Sequence, residues 1–433
     1  MKASINSNVL SQADRGPLLA VLAGYKDKPV DDWLPQNHPA KNGFLPRRWD
    51  QVNLLASHHL IEAVAAAAPN HCVDGWAYIS RAISALLAGD LHAARHLAYY
   101  GQLRAGLSIL GHLGVGVFNG INFAVKADGT VARLDVKGCL GTHSAVWMAL
   151  KAWVSAPVLA KQFLDLIKIG NASLTECLDA IWPSTSKTAV AGQLIAAWGL
   201  DLMRGESEHV ARNMSSYNPQ AFDSLPDNPL ERMEFVESIW ACFEPTSLTK
   251  FDGLDRSLLR ALLWQQHRLL DAGPIREGAI AKRFEYLPDG VRRMAPLSFV
   301  TGETDPIDPL ILSHARKQTE PALPVEMIAR GLLLLRAATA FTTTNFQDAG
   351  VSVDRGELRP WIDQVAIRRG YWEGNSPLDN PVDLWLDVED ALQDLAKSKE
   401  PAPTSLSAWM KRSPVGLPTI SEAERIGVWS LSS

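Results

Sequence analysis

A chain of 433 residues with 47% hydrophobic and 21% charged side chains has the material for a sizeable soluble core. Its length suggests two to three domains, or one unusually large one. A formal net charge of −5 argues against a surface given over to nonspecific nucleic-acid binding, while leaving room for a local basic cleft.

The first fifty residues form an irregular arm, since Pro29, Pro35, Pro39 and Pro46 break any long helix. An alanine-rich helix is predicted over 50–68, stopped at Pro69-Asn70, and a second over 73–87, interrupted at Gly89-Asp90. Residues 91–113 form the most apolar long helix. Leu103, Leu107, Leu110 and Leu113 mark one stripe of it, and Leu91, Ala94, Ala98, Ala105 and Ile109 another. Apolar residues on two faces at helical period place it centrally in a bundle, and Gly101 and Gly106 allow a neighbour to approach closely.

The period then changes. Segments 123–125 and 131–136 flank Asp128-Gly129, a hairpin signal because the turn needs positive φ; the hairpin is assigned to 121–136. Ala132, Leu134 and Val136 should pack, with Val131, Arg133 and Asp135 on the wetter face. Gly111, Gly114, Gly116 and Gly120 follow a helix and depart from GxGxxG, so they are a turn into the hairpin. Thr142 is the expected N-cap of a helix carrying Val146, Leu150 and Trp153 to Pro157. Helices over 158–168, 173–181 and 187–204 follow, the last stopped by Gly205. A turn-rich stretch to Pro229 marks a boundary. Beyond it, helices are predicted over 230–243, 254–271, 324–341 and 382–397, joined by proline-bearing loops over 272–296 and 350–381. The expected fold is mainly α: an arm (1–50), an elaborated helical bundle with one inserted β-hairpin (51–224), a second helical region (225–398) packed against it, and a Pro/Ser-rich surface tail (399–433).

Cys72, Cys139, Cys177 and Cys242 show no CxxC spacing, which fits reduced thiols in the cytoplasm and neither a disulfide framework nor a zinc site. No apolar run reaches the ~18 residues of a membrane span, and the polar start carries no signal peptide. The 14 tryptophans are expected to be packing anchors whose indole N–H groups find buried partners. His92 and His96 share a helix face without further ligands at matching spacing, while His58 and His59 point to different faces; no metal or cofactor is expected. The acidic run around a C-terminal helix, from Asp379 to Asp394, is a solvated face.

The stretch Tyr99-Tyr100-Gly-Gln-Leu103-Arg104, the glycine-rich turn with its hairpin, and Gly141-Thr142-His143-Ser144 precede Arg212-Asn213 and then Tyr217-Asn218-Pro219. Together they resemble the HEPN superfamily of helical-bundle proteins, within it the YaaC-like group, over about residues 80–220. The resemblance implies an RNA-handling protein of prokaryotic conflict and antiviral systems, built as a dimer in which paired helices face a cleft. It implies that Arg212 holds the scissile phosphate, that Asn213 orients it, and that a histidine five residues after the arginine moves protons without a metal. Tyr217 occupies that histidine position, which weighs against cleavage more than against RNA binding. His143, in the first turn of its helix with Arg133 and Lys137 before it, is an accessory candidate for a phosphate-binding corner. Two readings of the chain stay open: RNA handling by a homo-oligomer, or a non-catalytic helical scaffold binding a protein partner in a multi-subunit system. In the second, Arg212 and Asn213 cap a helix end or pair with Asp201 or Glu208, and Tyr217 packs under a turn.

Overall fold

Two antiparallel helices, Ser57–Ala88 and Leu91–His112, form the centre of the molecule, and Pro324–Asp348 lies against both. The computed structural model of the chain describes residues 4–432 other than 44, 47, 53–54, 119, 137, 183–191, 193–194, 197–204, 218–227, 247–249, 271–276, 304–307, 374–375 and 399–405. The class is mainly α with a small sheet region.

The reversal between the two central helices is local chemistry. Gly89 takes the left-handed conformation after the first helix, and the Asp90 carboxylate accepts the Ala93 N–H at 2.9 Å to start the second. Small residues then let the helices touch. A Cβ on Gly101 would lie 2.7 Å from Ile79, and one on Gly111 would lie 2.7 Å from the Ala68 Cβ. The predicted break at Pro69 does not occur: Ser57–Ala88 runs through it as one helix. Proline removes one backbone bond there, and the Asn70 side-chain amide donates to the neighbouring Ala66 carbonyl at 2.8 Å. Tertiary packing of an almost wholly apolar face holds the rest.

The Asp128-Gly129 turn is present, with Asp128 accepting from the backbone and hydroxyl of Thr130 at 2.9 and 2.6 Å. Ile121–Val125 pairs antiparallel with Val131–Arg133 in the register Val125↔Val131. An unforeseen strand, Val115–Phe118, completes a three-stranded meander, and Ser4–Ile5 pairs with Asp135–Val136. The predicted alternation fails past Leu134. Asp135 is buried rather than wet, accepting from the Asn122 amide at 2.9 Å. Gly141, in extended conformation, occupies the cap position assigned to Thr142, so Thr142–Val154 begins one residue sooner than expected.

Gly205, the expected stop, is the first described residue of a helix, Gly205–Tyr217, and a Cβ at this position would collide with the Trp147 indole. The helix predicted over 187–204 lies largely outside the described residues. In the second region, Pro229–Phe243, Asp252–Leu270, Pro324–Asp348 and Leu384–Lys397 match the predicted helices. The expected loops are not plain loops: Glu277–Phe284 and Asp289–Met294 lie in one and Arg359–Arg369 in the other. The tail is corrected too. Its last helix, Glu424–Ser432, is buried, with Gly427 seated on the Trp76 ring. The Trp240 indole donates to the Ile420 carbonyl beside it at 2.8 Å. Not every tryptophan finds such a partner: among the described residues the Trp361 and Trp409 N–H groups have none.

Buried charge joins helices distant in sequence. Arg336 grips Asp255 through two hydrogen bonds of 2.9 and 2.8 Å. Arg330 pairs with Glu208 and stands 3.8 Å from Glu326, tying Gly205–Tyr217 to Pro324–Asp348. Among the described residues no helix is long and apolar enough to cross a membrane.

Candidate functional site

Arg212, Asn213 and Tyr217 lie on one helix, Gly205–Tyr217, which crosses Leu91–His112 and touches Thr142–Val154. Arg212 is only 8% exposed, so it does not simply project into solvent. Its guanidinium donates to the Tyr100 hydroxyl and, at 2.7 Å, to the Asn213 side-chain oxygen. Tyr100 and Tyr217 present their rings at 5.0 and 6.0 Å. Its Nε is buried with no hydrogen-bond partner among the described residues. Of the two expected carboxylate partners, Glu208 serves Arg330, and Asp201 lies outside the described residues. Among the described residues no carboxylate pairs with Arg212, whose contacts are neutral. Helix capping by Arg212 and Asn213 is also excluded, since both sit inside the helix, and Tyr217 is 76% exposed rather than packed under a turn.

The structure brings His143 to this group. Its Nδ1 is 2.8 Å from the Tyr99 hydroxyl, which accepts from the Trp147 indole at 3.2 Å. With the indole donating to Tyr99, the phenol proton serves His143, and the imidazole carries its own proton on Nε2. Burial first, then the neighbouring His209 and Arg212, lowers the His143 pKa to about 4. His209 stacks on His143 with centroids 4.7 Å apart and is likewise lowered, by burial and then by Arg212. His96 approaches from the Leu91–His112 helix, 2.7 Å from the Ser216 hydroxyl, which donates to the Arg212 carbonyl at 3.0 Å. Burial and Arg212 lower its pKa too. Three imidazoles, neutral at pH 7, thus surround one guanidinium.

Other expected members are elsewhere. Arg133 donates to the Gly138 carbonyl, and Lys137 lies outside the described residues, so the corner beside His143 is built by Tyr99 and His209 instead. Arg104, one turn beyond Tyr100, contacts His71 at 2.9 Å and Asp74 at 3.7 Å instead. His92 Nδ1 lies 3.1 Å from the Ser215 hydroxyl. His209 carries no family signal, since the motif places its histidine after the arginine, whereas His209 stands three residues before Arg212, on the same helix face. Tyr100 was hidden in an apolar helix pattern. Its signal was the Tyr99-Tyr100 pair three and four residues after His96.

Two further expectations change. His58 and His59 do not diverge: their rings are 4.0 Å apart, and Glu62 joins them within one turn. The acidic C-terminal helix is not wholly solvated, because Asp387 binds Arg425 at 2.7 Å and Asp394 accepts from Ser413 at 2.6 Å. Comparison of the chain with family models, with curated proteins and with solved structures finds no match.

Proposed function

We propose that the side-chain cluster around Arg212 binds the phosphate backbone of single-stranded RNA, and that the protein is an HEPN-like RNA-handling component of a prokaryotic defence system. The observation that carries this reading is a nearly buried guanidinium contacted by tyrosine and asparagine, with no carboxylate paired to it among the described residues. A buried charge left without a counter-ion is costly, and a phosphate would supply that counter-ion through bidentate hydrogen bonds. Exposed Tyr217 offers a ring for base stacking at the mouth. Asn213 orients the guanidinium, and His143 with His209 lines the wall.

Binding is favoured over efficient cleavage at neutral pH. Transfer to a ribose 5′-oxygen requires an imidazolium, and His143 is neutral at pH 7 with a pKa near 4. Tyr217, in the family's histidine position, supplies no substitute acid. In a fluorescence anisotropy titration of a labelled single-stranded RNA at low salt, Arg212→Ala should weaken binding at least tenfold. Equal affinity of the two proteins, both folded by circular dichroism, would refute the proposal.

A second reading rests on a separate observation. Val210, Met214 and Tyr217 recur at helical spacing on the outer side of Gly205–Tyr217 and are 58%, 40% and 76% exposed. Such a stripe suits a second copy of the chain or a protein partner. Sedimentation as a 47.3 kDa monomer at all concentrations would exclude the self-association form of this reading.

A further inference from the structure

We infer that His58, His59 and Glu62, at the start of the Ser57–Ala88 helix, form a binding site for a divalent transition-metal ion, with zinc as the fitting species. The helix makes the juxtaposition. Glu62 follows His59 by three residues and His58 by four, so all three side chains share one edge. One donor atom from each lies within 4.8 Å of the other two. Around tetrahedral zinc such donors stand roughly 3.3 Å apart, a contraction that rotation of the exposed His58 can supply. Two imidazoles and one carboxylate select zinc-like ions over calcium or magnesium, which prefer all-oxygen shells. Three protein donors leave a fourth position for water.

Groups packed around the triad supply the independent support. His38, buried in the N-terminal arm, accepts the Ala40 backbone N–H on Nδ1 at 3.1 Å. Its proton therefore sits on Nε2, which lies 3.2 Å from Glu62 Oε2 without meeting hydrogen-bond geometry. A small turn of the Glu62 carboxylate on binding a cation would make His38 a donor that fixes it, not a fourth ligand, the arrangement by which outer-shell groups orient metal ligands. Its ring also meets His59 edge-on, with centroids 5.3 Å apart. The His59 Nδ1 is buried with no hydrogen-bond partner among the described residues. So is the hydroxyl of Tyr25, a residue only 3% exposed that feels the Glu62 charge. Orphaned polar atoms around a His-His-Glu triad are what a missing cation would leave. The site is independent of the RNA reading, as none of its residues belongs to the Arg212 cluster.

The test uses the full chain, stripped with a chelator and titrated with zinc chloride by calorimetry. Wild type should bind one zinc at this site. His58→Ala and Glu62→Gln should each weaken that event at least tenfold, and His38→Gln by about 10–100-fold. His96→Ala, in the Arg212 cluster, should leave it unchanged. Cobalt substitution should give the visible absorption of a four-coordinate site in wild type and lose it in His58→Ala. His58 is exposed, so this variant keeps its fold, which circular dichroism verifies. Zinc affinity and stoichiometry equal in wild type, His58→Ala and Glu62→Gln would overturn the inference, as would loss of the event in His96→Ala.

Discussion

Arg212 contributes to the electrostatics of its surroundings. Behind burial, it helps lower the pKa of His96, His143 and His209 alike. A bound phosphate would reverse this, because an anion favours imidazolium. Binding would then take up protons, so RNA affinity should rise as pH falls from 7 to 5. Anisotropy titrations across that range check it, and His143→Gln should flatten the dependence. Affinity that falls or stays level on acidification would count against histidines in the binding cluster. The residue scale also marks where the sequence was legible. Arg212, Asn213 and His143 could be singled out because guanidinium and imidazole chemistry is tied to residue type. Their neutral partners, Tyr99 and Tyr100, could not, since an aromatic in an apolar helix carries the same signature whether it packs or lines a pocket.

Among the elements, helix contacts hinge on a few small residues. Gly111 faces Ala68, where an added Cβ would meet the Ala68 Cβ at 2.7 Å and its Cα at 3.3 Å. Neither is the end of a flexible side chain, so Gly111→Ala should destabilise the protein by roughly 1–3 kcal/mol in urea unfolding. An unchanged midpoint would show that the two central helices separate without cost. The long apolar helices were readable because a 3.6-residue period sustained over several turns has no other interpretation. The errors have different causes. Pro69 reads as a stop, but its lost backbone bond is outweighed by tertiary contacts on both sides. Gly205 reads as a stop because glycine often ends helices, whereas here its missing Cβ leaves room for the Trp147 indole. The three helices of the C-terminal tail were obscured by proline and serine between short apolar clusters.

Across the whole molecule, segments distant in sequence are joined by buried ion pairs that no local pattern announces. Arg336 and Asp255 are 81 residues apart and both buried. Asp255→Ala leaves a guanidinium without its partner in the core and should cost about 3–5 kcal/mol, measured by chemical denaturation. A loss below 1 kcal/mol would mean that water reaches Arg336.

Acid sensitivity is also a global property. Burial is the leading cause that lowers His71 and His112 to about 3 and His143 and His314 to about 4. In the unfolded chain these groups titrate near 6.5, so between that value and their folded pKa only the unfolded state takes up protons. Their contribution is intact above pH 6.5 and is lost as pH falls toward 3. Melting temperature should therefore decline between pH 6.5 and 5, where most carboxylates remain charged, and His112→Gln should lessen the decline. A flat profile over that interval would contradict neutral burial of these rings.

The central claim, that Arg212 grips an RNA phosphate beside His143, is tested most directly by following the His143 imidazole by NMR as pH is varied. Saturating single-stranded RNA should move its pKa from about 4 upward toward neutrality in the wild type and leave it unmoved in Arg212→Ala. An imidazole that titrates identically with and without RNA in the wild type would contradict the account.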